Sequence, residues 1–130
     1  MKKSLSFDDV LLEPKYSDIE SRSEVDIGNH LSDTAYLELP VISSPMDTVT
    51  EGEMAWTMYN EGGLGVVHRY NTIKEQVAIV KKRRGVWPGR GFQAAAIGVT
   101  GDYEERACAL FDAGVHYLCL DVAHGHHVLV

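Results

Sequence analysis

Along residues 39–121 the apolar positions fall into two kinds of block that take turns. Short apolar runs read as buried strands, and longer stretches with apolar residues three and four apart read as one face of a helix. The run Leu39 to Ile42 opens the series and predicts strand one over Pro40–Ser43. Ser43-Ser44-Pro45 ends it, because proline cannot donate to a sheet ladder. Thr50 with Glu53 has capping-box spacing and predicts helix one from Glu51 to about Asn60, with Met54, Ala55 and Met58 on one face. Gly62-Gly63 stops it, and Leu64–His68 reads as strand two. Thr72 with Glu75 repeats the box and opens helix two, striped by Ile73, Val77 and Val80 and ended by Gly85. Val86–Gly91 is a loop, and Ala94–Val99 is strand three. Asp102 with Glu105 caps helix three by the same logic, its apolar face carrying Ala107, Leu110 and Phe111 up to Gly114. His116–Asp121 is strand four.

Three units of strand, loop, capped helix and glycine, followed by a fourth strand, predict a parallel α/β sheet. Strand starts near residues 40, 64, 94 and 117 suit a β/α barrel or a doubly wound sheet, and periodicity does not choose between them. Residues 1–38 lack this rhythm and read as an extended arm with one short hairpin, signalled by Gly28-Asn29 and Ser32-Asp33. In the arm, Phe7, Val10, Leu11 and Leu12 are expected to dock on a core, and Asp8-Asp9 to serve as caps or surface charge.

Composition narrows the partners. The 130 residues carry a net charge of −7, which argues against nucleic acid or an anionic membrane as the main partner. The basic run Lys81-Lys82-Arg83-Arg84 reads as a solvated helix end that complements the dipole. No apolar run approaches a membrane span, and the start of the chain lacks a signal-peptide core. Cys108 and Cys119 form no disulfide framework, which points to a reducing, cytoplasmic setting. His116, His124, His126 and His127 have no Cys or Glu partner at metal spacing, so no metal site is expected.

In parallel sheets ligands bind on loops at the carboxyl ends of the strands. Four groups of residues fall there. Ser44 and Met46 follow strand one, beside Asp47, which is expected to anchor the loop as a buried carboxylate. His68 and Arg69 follow strand two, to meet a phosphate or developing charge, or to bridge to an acid at the rim. Gly98, Thr100 and Gly101 follow strand three, where glycine permits close approach of a planar ligand or a tight turn into Asp102. Asp121 follows strand four, placed to accept from a ribose hydroxyl or to cap a following helix.

The stretch Ser43-Ser44-Pro45-Met46-Asp47-Thr48-Val49-Thr50-Glu51 resembles the first strand and loop of the IMP dehydrogenase/GMP reductase family. Phe7–Leu12, Ser21–Asp26, Gly62–Arg69 and Leu120–Gly125 resemble other segments of the same family. The resemblance implies a (β/α)8 TIM barrel, with residues 1–38 as the N-terminal arm and 39–130 as its first half, about four strands of eight. It implies a purine-nucleotide oxidoreductase: IMP with NAD and water to XMP, or GMP with NADPH to IMP and ammonia. The dehydrogenase is favoured by Ser-Ser-Pro-Met-Asp-Thr and Ala-His-Gly-His, whereas Leu118–Ala123 has a reductase character. The short span from Lys82 to Phe92 leaves no room for the CBS regulatory modules found in most dehydrogenases. By resemblance Ser44 hydrogen-bonds the nucleotide and Met46 packs on its ribose and base. Thr100 lies nearest the adenosine half of the dinucleotide, and Asp121 touches its nicotinamide riboside. The resemblance also implies a homotetramer and allows a monovalent cation such as K+, with no ligands in this segment. The family's nucleophilic cysteine is expected beyond Val130, so this segment alone is expected to be inactive and to be a fragment or one split piece of a longer enzyme, with a non-catalytic truncated half-barrel as the alternative.

Overall fold

A computed structural model describes residues 3–82 and 93–130. Gly85, the Val86–Gly91 loop and the span to Phe92 therefore lie outside the described residues, as do Arg83 and Arg84. Two strands precede the regular part: β1 (Asn29–Ser32) and β2 (Ala35–Leu37) pair antiparallel across the turn signalled by Ser32-Asp33. Next come β3 (Ile42–Ser43), α1 (Gly52–Asn60), β4 (Leu64–Val67) and α2 (Ile73–Lys81). After the undescribed stretch follow β5 (Ala94–Ile97), α3 (Tyr103–Asp112) and β6 (Tyr117–Leu120). The four predicted strands are thus β3 to β6, each one or two residues shorter than expected. They form one parallel sheet in the order β3-β4-β5-β6.

Both faces of the central strands are covered, so β4 and β5 are buried at every position. Val67, Ala95 and Ile97 face the helices and pack with Ala55, Val80, Leu110 and Ala113. Leu64, Val66, Ala94 and Ala96 face the other way and pack with Leu37 of the hairpin, Tyr117 and Cys119. All three helices contribute to the first cluster, so they lie on one side of the sheet. The hairpin lies on the other side, and Ser32 Oγ meets the Tyr117 hydroxyl at 3.0 Å. Gly65 has no side chain because α1 lies against it. A Cβ there would stand inside the contact distance of Ala55 Cα and 3.0 Å from Ala55 Cβ.

Gly62 and Gly114 take φ of +80° and +89° just past α1 and α3, the left-handed conformation that ends helices. The Thr72–Glu75 box forms as predicted: Glu75 N–H donates to Thr72 Oγ1 at 3.3 Å and Thr72 N–H to the Glu75 carboxylate at 2.9 Å. The other two boxes do not. Helix α1 starts one residue later, behind Glu51, whose side chain makes no capping bond. The buried Thr50 hydroxyl instead donates to the Ser44 carbonyl at 2.6 Å, with Ser43 Oγ 2.8 Å away. Asp102 does precede α3, but its carboxylate is taken by Arg106 one turn on.

Three packing expectations are corrected. Phe7, Val10, Leu11 and Leu12 do not dock: they are 97%, 47%, 97% and 99% exposed. Phe111 points outward from α3, whose buried residues are Arg106 and Leu110. On α1 only Ala55 is fully buried, and Met54 is exposed. Among the described residues no helix is long and apolar enough to cross a membrane.

Candidate functional site

Parallel pairing puts the loops after β4, β5 and β6 side by side, and they enclose an open groove of about 550 Å³. Arg69 and Tyr70 come from the first loop, Gly98 to Thr100 from the second, and Asp121 to Ala123 from the third. Four residues singled out in the sequence, Arg69, Gly98, Thr100 and Asp121, therefore share one wall.

Arg69 spans the groove. Its Nε donates to Asp121 Oδ2 at 3.0 Å and its Nη2 to the Asp121 carbonyl at 3.1 Å. The guanidinium also lies over the Tyr70 ring, 5.5 Å from its centroid. Arg69 is thus bridged to an acid at the rim. Among the described residues nothing donates to Asp121 Oδ1, which leaves one carboxylate oxygen to accept from a ligand. A Cβ at Gly98 would come into ordinary contact 3.5 Å from Arg69 Nη1, so its absence leaves the groove floor as bare backbone beneath the guanidinium. Thr100 is exposed at the rim, and Gly101 beyond it turns the chain with φ of +71°. A wall with one free carboxylate oxygen, exposed backbone and a paired cation fits a ligand that carries sugar hydroxyls and a planar ring.

His68 is not part of that wall. It is 3% exposed, its Nδ1 accepts from Tyr70 N–H at 3.1 Å, and its Nε2 lies 3.5 Å from Glu51. Its backbone N–H donates to the Thr50 carbonyl at 3.3 Å. His68 thus fastens the loop after β4 to the loop after β3.

Ser44 and Met46 lie on that neighbouring loop and are exposed, one strand away from the groove. The loop is held by backbone bonds, with Met46 N–H on the Ser44 carbonyl and Thr50 N–H on the Met46 carbonyl at 2.9 and 2.8 Å. The expectation of a buried Asp47 anchor is corrected: Asp47 is exposed, because Thr50 occupies the anchoring position.

One feature escaped the sequence reading. Behind the groove, Arg106 of α3 is 5% exposed and donates to Asp102, Asn71 and Gln76. Its Nε and Nη2 reach the two Asp102 oxygens at 3.3 and 2.8 Å, and Nη2 also reaches the Asn71 carbonyl at 2.9 Å. Its Nη1 meets Gln76 Oε1 at 2.8 Å. Gln76, fully buried on α2, passes the connection on: its Nε2 donates to the Ala96 carbonyl at 2.9 Å and the Val67 carbonyl at 3.4 Å. The Arg106 hydrogen bond holds the Asp102 carboxyl below the ordinary carboxylate value. The available signal was Gln76 itself, a polar residue inside the stripe Ile73, Val77, Val80.

Neither cysteine lines the groove. Cys108 is exposed on α3. Cys119 is half-buried in β6, where burial, and then the Asp121 carboxylate, push its thiol upward. Among the described residues no three His, Cys, Asp or Glu side chains come together as a metal site.

A family model described as "IMP dehydrogenase / GMP reductase domain" matches residues 4–130. The chain belongs to this family. Among curated members it is 52% identical over 81 residues to an inosine-5'-monophosphate dehydrogenase of Nitrosopumilus maritimus, covering 62% of this chain and 17% of the relative. It is 53% identical over 81 residues to the dehydrogenase of Staphylococcus aureus strain MW2, covering 62% and 16%. It is also 44% identical over 82 residues to a GMP reductase of Leishmania donovani, covering 63% and 17%. The matched stretch is thus less than a fifth of each relative's length. Both names denote oxidoreductases, and the family match takes in every loop that frames the groove.

Proposed function

We propose that this IMP dehydrogenase/GMP reductase segment supplies the nucleotide-binding loops of a cytoplasmic purine-nucleotide oxidoreductase that oxidises IMP with NAD and water to XMP and NADH. The observation that carries the reading is the convergence of Arg69, Gly98, Thr100 and Asp121 on one groove at the carboxyl ends of adjacent parallel strands. Asp121 accepts from the nicotinamide ribose through its free oxygen, and Arg69 keeps the carboxylate turned toward it. Gly98 and Thr100 border the rest of the dinucleotide. Ser44 and Met46, on the next loop, take the purine nucleotide. The dinucleotide, when bound, supplies the hydride acceptor.

The wider architecture is a (β/α)8 barrel to which residues 39–130 give the first four strands and residues 1–38 the arm. In support, the strand order runs in sequence without the reversal a doubly wound sheet requires, and the helices stay on one side. The exposed Phe7, Leu11 and Leu12 serve subunit contacts in a homotetramer. The nucleophilic cysteine is contributed by residues outside this segment, since neither Cys108 nor Cys119 reaches the groove.

The dehydrogenase reading is favoured by Ser44-Pro45-Met46-Asp47 on the first loop and by the higher identity to dehydrogenases, 52% against 44%. The test is turnover by the full-length native protein, with IMP and NAD in one assay and GMP and NADPH in the other. NADH formed only in the first supports the proposal. NADPH consumed only in the second replaces it with the reductase, and no turnover in either removes both.

A further inference from the structure

The groove is framed by loops that follow β4 and β5, and loops of this kind move unless something ties them together. One buried cation does so from behind. Asn71 lies two residues past Arg69, and Asp102 lies two residues past Thr100. Arg106 donates to both, at 2.9 Å to the Asn71 carbonyl and at 2.8 Å to the Asp102 carboxylate. Through Gln76 it also reaches the carbonyls of Val67 and Ala96, at the ends of the two strands from which these loops depart. The Asn71 carboxamide adds only a long contact to the same guanidinium, Oδ1 accepting from Arg106 Nη1 at 3.5 Å, and among the described residues its buried Nδ2 has no partner.

A planar guanidinium is suited to this task. It offers five donors in a fixed fork, whereas a lysine ammonium in the same place offers three from a single point. A buried charge with several acceptors also resists displacement, because moving any one acceptor leaves the cation under-satisfied.

We propose that Arg106 is a positioning residue for the groove: its guanidinium sets the spacing between the loop that carries Arg69 and the loop that carries Gly98 and Thr100. The role rests on the reading of the groove as the dinucleotide site. Arg106 itself touches no ligand.

The experiment compares Arg106→Lys and Asp102→Asn with the parent in the full-length protein, using two readouts. The first is amide hydrogen exchange at residues 70–72 and 98–102, with the amides of β5 as the internal control for global folding. The second is the Michaelis constant for the dinucleotide against that for the purine nucleotide. Loss of one or two charge-assisted bonds is expected to speed exchange in both loops about tenfold while leaving β5 unchanged. It is expected to raise the dinucleotide constant about tenfold and to leave the nucleotide constant within about twofold. Unchanged exchange in the two loops overturns the proposal. So do faster loops with both constants moving together, since Arg106 is then a brace for the whole domain. Should Arg106→Lys fail to fold, Asp102→Asn decides by the same two readouts, because Asp102 lies at the exposed end of the network. A parent protein that turns over neither substrate pair removes the dinucleotide reading, and loop exchange alone then judges whether Arg106 sets the spacing.

Discussion

The contact between Arg69 and Asp121 gives the sharpest test of how the groove works. If Arg69 acts by holding the Asp121 carboxylate, then Arg69→Met and Asp121→Asn remove the same thing. The structure sets the scale. The pair has one direct charge-assisted bond of 3.0 Å and a second bond to the Asp121 carbonyl, with the two side chains 35% and 24% exposed. A fully exposed ion pair contributes up to about 1 kcal/mol, and a hydrogen bond to a buried charge about 1.5–3 kcal/mol. With a third of the arginine still in water, the coupling should lie near the junction of these ranges, about 1 kcal/mol. The assay is a double-mutant cycle on dinucleotide affinity, by fluorescence titration of the full-length protein. Asp121→Asn should weaken binding about tenfold, and Arg69→Met nearly as much, because a freed carboxylate turns away from the ribose. The double variant should be no weaker than Asp121→Asn alone. Additive losses would refute the argument, since each residue would then contact the ligand independently. A loss confined to nucleotide affinity in Arg69→Met would move Arg69 to the substrate side.

Other expectations follow from the same coordinates. Gly65→Ala forces a methyl against the backbone of α1 at Ala55 and should lower stability by about 2–3 kcal/mol in urea unfolding; an unchanged midpoint would mean that α1 does not rest on β4 as described. Thr72→Ala removes the cap that forms in α2 and should cost about 1 kcal/mol, measured by thermal unfolding at neutral pH. The pH dependence has a definite sign. The bond from Thr72 N–H lowers the Glu75 carboxyl below its ordinary 4.5, so its stabilising effect is present above that value and is lost as pH falls through the lowered one. Glu75→Gln should therefore flatten the acid limb of a midpoint-against-pH curve, and an unaltered limb would count against the cap. Ser44→Ala should raise the Michaelis constant for the purine nucleotide about fivefold and leave the thermal midpoint unchanged, since the hydroxyl is exposed. A constant that does not move would take Ser44 out of the site.

The three box-like spacings show how far local sequence reaches. Thr50–Glu53, Thr72–Glu75 and Asp102–Glu105 look alike on paper, yet only the middle one closes. Its surroundings are exposed, so the local hydrogen bonds have no competitor. Thr50 is fully buried beneath the loop after β3, where its own hydroxyl would be costly to leave unpaired, and the tertiary partner, the Ser44 carbonyl, wins. Asp102 meets a guanidinium one turn ahead, which outbids a backbone amide for its charge. The parallel strands, the ends of α1 and α3 and the loops that frame the groove were legible because they depend on period and on glycine. Phe7, Leu11 and Leu12 misled because hydrophobicity states a need for burial without naming the surface that meets it.

Arg106 was hidden for a related reason: an arginine on a helix normally reads as solvated surface. Its burial becomes intelligible only beside Gln76, which brings a carboxamide to a place where the stripe calls for an aliphatic side chain. The two arginines then divide the work. Arg106 has partners on two loops and, through Gln76, reaches two strand ends, so breaking one link leaves a buried charge under-satisfied and the frame stays fixed. Arg69 faces solvent and has a single acidic partner, a contact worth about 1 kcal/mol, so a ribose hydroxyl arriving at Asp121 can reshape it. A rigid frame behind an adjustable pair lets the groove order its ligand without reorganising the sheet. Binding should therefore change hydrogen exchange at Asp121 to Ala123 and leave residues 70–72 as slow as before. Broad slowing across all three loops on dinucleotide binding would mean that the frame is assembled by the ligand, and the division of labour between the two guanidiniums would fail.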